Sequence, residues 1–178
     1  MAMNVRGGNG YIEEWVNARL LRDAHLGSIW EGAENVVALD VARAAARQRA
    51  HDALFRDLEA QLDGLTDPEA LRSAGSVRER LRDTAERFER LLAADEDTRE
   101  ARMAAMCDRL AALVCSVLLL SEAGAQAESG LGYRKLLVAN EYRKRRLDRI
   151  DPLDFGDEGV TFLDEVVDDG RVPAGAAR

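Results

Sequence analysis

The chain is short of the residues that interrupt helices or staple folds: it has three prolines and two cysteines in 178 residues. With so few breaks, and with Ala, Leu, Arg and Glu dominant, helix is favoured nearly everywhere. Cys107 and Cys115 fall in one helical pattern, about 12 Å apart along the axis, which excludes a disulfide between them there. Two buried thiols in a reducing cytoplasm are expected. The two histidines, His25 and His51, have no metal-ligand spacing, so no metal site is expected. The first residues are polar and glycine-rich rather than basic and then apolar, so no signal peptide is expected. The most apolar stretch, residues 110–120, is too short to span a bilayer and reads as a central core helix. Positive charge is also in deficit. The net charge is −8 and the pI about 4.9, which argues against general nucleic-acid binding.

What is present is helical patterning. Residues 11–24 form one expected helix, with Ile12, Trp15, Ala18, Leu20 and Leu21 on an apolar side, and Leu26-Gly27-Ser28 breaks it. A second helix starts near Glu34 and runs to Gln48 or beyond. Leu54, Leu58 and Leu62 recur at helical spacing until Gly64, and Thr66-Asp67-Pro68-Glu69 is a cap with proline in the first turn. Val77, Leu81, Ala85, Phe88 and Leu92 mark the next helix. Residues 98–122 form the long buried helix, with Gly124 as its stop. A basic helix follows over 133–149, and an acidic tail over 151–178. No stretch alternates as a strand would. The expected fold is an all-α, up-down helical bundle, divided as 1–50, a helical extension over 51–150, and the tail.

Residues 7–43 carry the most information. They contain Gly7-Gly8-Asn9-Gly10-Tyr11, then Glu13-Glu14, then Ala18-Arg19-Leu20-Leu21-Arg22-Asp23-Ala24. After a turn come Ile29-Trp30-Glu31-Gly32, Glu34-Asn35-Val36 and Leu39-Asp40-Val41-Ala42-Arg43. The glycines allow positive φ and close approach of another surface, so the turn is either a simple helix entry or a phosphate-facing loop. Glu31 sits beside bulky Ile29 and Trp30 and before Gly32. Partial desolvation there raises a carboxyl pKa and suits a general base, while an ordinary glutamate at a helix start fits the same position. Arg19, Arg22 and Asp23 read as a salt-bridged helix end, and Trp15 and Trp30 as packing residues.

In order and spacing, these residues resemble the last conserved stretch of the acyl-CoA dehydrogenases, and the Trp-Glu-Gly form resembles the branch of the bacterial alkylation-response flavoproteins. The resemblance covers about the first quarter of the chain. It implies the fold of that family's carboxy-terminal domain, with Gly7, Gly8 and Gly10 contacting FAD of a neighbouring subunit. It also implies that Glu31 is the base that removes the α-proton of an acyl-CoA thioester, in a reaction giving the enoyl product. The amino-terminal and middle domains of such enzymes are not expected here, so the chain is expected to be inactive alone. Two positions depart from the pattern. Ala33 stands where the family usually has Thr or Ser, and Val16 where it usually has proline.

Two functions compete. In one, the chain is an enzyme part, assembling with itself or with a chain that supplies the missing domains, through an apolar face on its first two helices. In the other, it is a non-catalytic helical interaction or oligomerisation module derived from that family. Nucleic-acid binding through the basic helix is disfavoured, because the acidic tail follows it directly and internal charge pairing is expected instead.

Overall fold

The computed structural model describes residues 6–27, 29, 30 and 32–148, and every regular element among them is helical. In chain order these are α1 (Gly8–Tyr11), α2 (Val16–Leu26), α3 (Glu34–Gln48), α4 (Ala50–Asp63), α5 (Pro68–Leu92), α6 (Glu96–Glu128) and α7 (Arg134–Tyr142), which passes into a π-helical turn over Arg143–Leu147. The all-α bundle expected from the sequence is the one observed. Glu31 and the acidic tail lie outside the described residues.

The long helix α6 is the axis of the fold, and α3, α4, α5 and α7 all pack on it. One core cluster joins Leu58 and Leu62 of α4, Val77 and Leu81 of α5, Leu113, Val117 and Leu120 of α6, and Leu136 of α7. A second joins Ala38, Ala42 and Ala45 of α3 to Phe88 and Leu91 of α5 and to Met103, Met106 and Leu110 of α6. By length and composition α6 could cross a membrane. Its large apolar residues fill both clusters instead, which is the place of a central core helix.

Local signals explain most boundaries. Asp67 caps α5, its Oδ1 accepting from the N–H groups of Glu69 (3.0 Å) and Ala70 (2.9 Å), with Pro68 in the first turn. Its other oxygen accepts from the Tyr133 hydroxyl at 2.8 Å, tying the start of α7 to the start of α5. Asp95 caps α6 in the same way, through Thr98 N–H at 2.9 Å.

Two boundaries differ from the sequence reading. The helix expected over 11–24 is broken by an extended Ile12, so that α1 ends at Tyr11 and α2 begins at Val16. The second helix runs over Glu34–Gln48, as expected, and Arg49 after it adopts a left-handed conformation (φ 49°) that turns the chain into α4. Gly124 does not stop α6: it is buried inside the helix, where an added Cβ would come within 3.0 Å of the Leu65 side chain. Close packing there outweighs the helix penalty of glycine, about 1 kcal/mol. The chain turns away at Gly130, at φ 70°.

The basic stretch is neutralised locally. Lys135 pairs with Glu122 (2.6 Å), Lys144 and Arg145 pair with Glu141 (3.7 and 3.1 Å), and Arg143 pairs with Asp148. Arg80 of α5 reaches the same Asp148 at 2.8 Å. These partners lie on the bundle; the acidic tail, from which the pairing was expected, lies outside the described residues.

Candidate functional site

The glycine turn stands where the sequence places it. Gly7, at φ 54°, precedes α1 in a conformation that side chains rarely adopt, and its carbonyl accepts from Gly10 N–H at 2.9 Å. Among the described residues, nothing lies within 4 Å of a Cβ added at Gly7 or Gly8, whereas Gly10 is buried. The backbone at Gly7-Gly8 is thus open to approach by another surface. Arg22 folds back to Glu13 at 2.7 Å, and that contact raises the Arg22 pKa. Arg19 meets Asp23 at 3.6 Å. Arg22 therefore braces the turn before α2 rather than the one after it, while Arg19 and Asp23 pair along the helix.

Downstream of α2, Gly32 takes φ 115° and packs on Val36, whose side chain would lie 3.1 Å from an added Cβ. Gly27 and Gly32 both border a groove of about 430 Å³, whose other walls include Glu34, Val37 and Ala38 of α3 and Ala104, Cys107, Asp108 and Ala111 of α6. Burial, and then the charge of Asp108, push the Cys107 thiol pKa up, which keeps it protonated and unreactive. Both cysteines are free and half-buried rather than fully buried. Ala33 is the residue before α3 and provides no side-chain cap, so the departure from Thr or Ser falls at a helix N-cap. Val16, the other departure, occupies the first position of α2, where proline is well tolerated. Gly7, Gly8 and Gly10 do not border the groove.

The exposed apolar surface is the main feature that residue-by-residue reading misjudged. Trp15 and Trp30 do not pack into the bundle; they are 45% and 67% exposed. Helices α1 and α2 pack on each other and touch the remaining helices little. Tyr11, Val16, Leu20, Leu21 and Leu26 are exposed with them. Helix α3 continues this face, because it buries Ala38, Ala42 and Ala45 against α6 and leaves Val36, Val37 and Leu39 outside. A helix that hides its alanines and shows its larger aliphatics has a second apolar face with no partner among the described residues. The Asn17 side-chain nitrogen, on the same segment, is buried and finds no hydrogen-bond partner. A buried unsatisfied donor costs about 1–3 kcal/mol.

A second cluster escaped the sequence reading. His51 Nε2 lies 3.0 Å from Glu89 Oε1 and 3.4 Å from Asp52, a grouping close enough to hold a metal ion. Arg49 already supplies a positive charge there, bonding Asp52 at 2.6 Å and Glu89 at 2.8 Å. The hydrogen bond from His51 lowers the Glu89 pKa most; burial opposes it, and the hydrogen bond from Arg49 lowers it further. Glu89 is 38 residues from His51, so no local spacing signals the cluster.

Comparison with known proteins bears on the same first quarter of the chain. Residues 1–46 match the family described as acyl-CoA dehydrogenase, C-terminal domain. Over 47 residues the chain is 49% identical to AidB, an Escherichia coli (strain K12) protein named as a candidate acyl-CoA dehydrogenase. That stretch is 26% of this chain and 9% of AidB, so the chain spans a small part of this relative. No solved structure matches the chain.

Proposed function

We propose that this chain, whose first 46 residues match the acyl-CoA dehydrogenase C-terminal domain family, is the docking and base-bearing part of a dehydrogenase-like flavoprotein assembly. The observation that carries this reading is the coincidence of two boundaries. The family match ends within α3, and large apolar groups of α1, α2 and the outer side of α3 have no partner among the described residues. A surface with this many exposed large apolar groups is unfavourable in water and favours association.

In that assembly Glu31 holds the α-proton of an acyl-CoA thioester, with Gly32 leaving room beside it. Gly7, Gly8 and Gly10 meet the cofactor of a neighbouring subunit. The open backbone at Gly7-Gly8 fits such an approach, since no side chain among the described residues obstructs it. The absence of those glycines from the groove beside Gly32 suits a division of labour in which the turn serves one subunit and Glu31 another. FAD, when bound, would supply the hydride acceptor; the chain's own contribution is proton removal, positioning and exclusion of water. No redox chemistry is assigned to the described residues alone, and the reading places the chain in the cytoplasm as a homo-oligomer or bound to a chain that completes the site.

A second reading is a non-catalytic oligomerisation module. It is favoured by Ala33, which provides no hydroxyl at the position where the family usually has one.

The two part on one experiment. The purified assembly is tested for a retained flavin absorbance band and for acyl-CoA-dependent reduction of an artificial electron acceptor, with and without Glu31→Gln. Retained flavin, with activity lost in Glu31→Gln, supports the enzyme part. Activity indifferent to that substitution removes Glu31 from the role of base. An oligomer that neither holds flavin nor turns over substrate leaves the module.

A further inference from the structure

A separate cavity of about 450 Å³ lies between the C-terminal end of α5 and the first turns of α6, and four arginines border it: Arg87, Arg90, Arg102 and Arg109. Leu91 and Met106, both buried, form its apolar floor. Asp83 serves two of the arginines, accepting from Arg87 Nε at 2.8 Å and from Arg109 Nη2 at 2.6 Å. Arg109 is further fixed by its Nε bond to the Thr84 hydroxyl at 2.9 Å. Among the described residues, neither Arg90 nor Arg102 has a carboxylate partner. Of the acids where the two helices meet, Asp95 is turned to the helix end, where it caps Thr98, and Glu96 and Asp97 lie in the first turn of α6.

We propose that this cavity binds a small, multiply charged phosphate-bearing ligand. Guanidinium groups supply paired donors matched to phosphate oxygens. Two of the four are held in place by Asp83 and two are free to close on the ligand. The size of the cavity suits a small molecule rather than a polymer. The chain's net charge of −8 favours the same choice. A compact anion feels mainly the charges within a Debye length, about 8 Å at physiological salt. A duplex would lay further phosphates across acidic surface outside the cavity. The apolar floor favours phosphates that carry an organic body. The site is centred apart from the groove beside Gly32 and meets it at Ala105, which borders both.

The full chain is titrated with inorganic pyrophosphate and with ATP, followed by calorimetry and amide NMR. Saturable binding is expected, with shifts concentrated in residues 87–109. Arg90→Ala combined with Arg102→Ala is expected to weaken it about tenfold or more. Both side chains are exposed and unpaired, so the double variant should keep the parent melting temperature, and Arg145→Ala should bind like the parent. ATP binding more tightly than pyrophosphate supports the site and assigns the floor to the nucleoside; equal affinities support it as a site for phosphate alone. Absence of saturable binding by either anion overturns the proposal, as does binding that survives the double substitution. Duplex DNA binding that needs these arginines, with no small-anion binding, also overturns it and makes the patch a nucleic-acid surface.

Discussion

The two ends of the described chain solve opposite problems with similar residues. From α4 to α7, leucines and valines at helical spacing are buried, and Phe88, Leu62, Leu113 and Val117 have no exposed surface at all. From α1 to α3, tryptophans, leucines and valines are just as frequent but face outward. The difference is not in hydrophobicity. Among the described residues, α4 to α7 bury most of their large apolar groups on one another and on α3, whereas α1 and α2 pack chiefly on each other and α3 buries its alanine side. The family match falls on the region that packs least. An apolar pattern therefore says that a helix face is to be buried, and leaves open whether the partner lies within the chain or outside it.

The sharpest way to break this contrast is to truncate one aromatic on each side of it. Phe88→Ala should destabilise the chain by about 3–5 kcal/mol, since the side chain is fully buried against α3 and α6 and its ring lies 5.0 Å from that of His51. Trp30→Ala should change monomer stability by no more than about 0.5 kcal/mol, yet weaken self-association or partner binding. Chemical denaturation and sedimentation measure the two effects separately. A large stability loss in Trp30→Ala would mean that Trp30 is a core residue after all.

Asp67→Ala is the next largest expected effect. It removes the cap of α5, for which about 1–2 kcal/mol is usual, and leaves the Tyr133 hydroxyl without its acceptor. The Asp67 hydrogen bond is also the first cause of the raised Tyr133 pKa, so spectrophotometric titration of tyrosine should show that ionisation moving down in the variant. An unchanged titration would detach α7 from this anchor.

The smallest effect sharpens the comparison from the other side. Ala33→Ser should restore a cap to α3 and stabilise the chain by about 0.5–1 kcal/mol, read as a rise in melting temperature. A drop would show that the position is fitted to alanine for a reason other than capping.

Much of the bundle was legible because its signals are local. The Leu54, Leu58, Leu62 spacing marks one face of α4, and an Asp-Pro pair before a helical run satisfies donors that the helix itself cannot. Gly124 was misread for the same reason: the rule that glycine ends helices is local, while the contact with Leu65 that keeps it inside α6 crosses the fold. The left-handed Arg49 carries no turn residue to announce it. Its conformation places the side chain between Asp52 and Glu89, the second of which is 40 positions away. Of the candidate site, the glycine turn was legible, since Gly7 does take the positive φ that only its residue type makes easy. The groove beside Gly32 was not, because half of its wall comes from α6.

The sequence by itself determined the helical class, the principal caps and the family likeness of the first 46 residues, because composition, periodicity and motif order are all written along the chain. The tertiary structure alone decided which face of α3 is buried, that Trp15 and Trp30 stand outside the core, and that four arginines from two helices border one cavity. Those outcomes depend on which surfaces meet, and helices far apart in sequence meet only once the chain has folded.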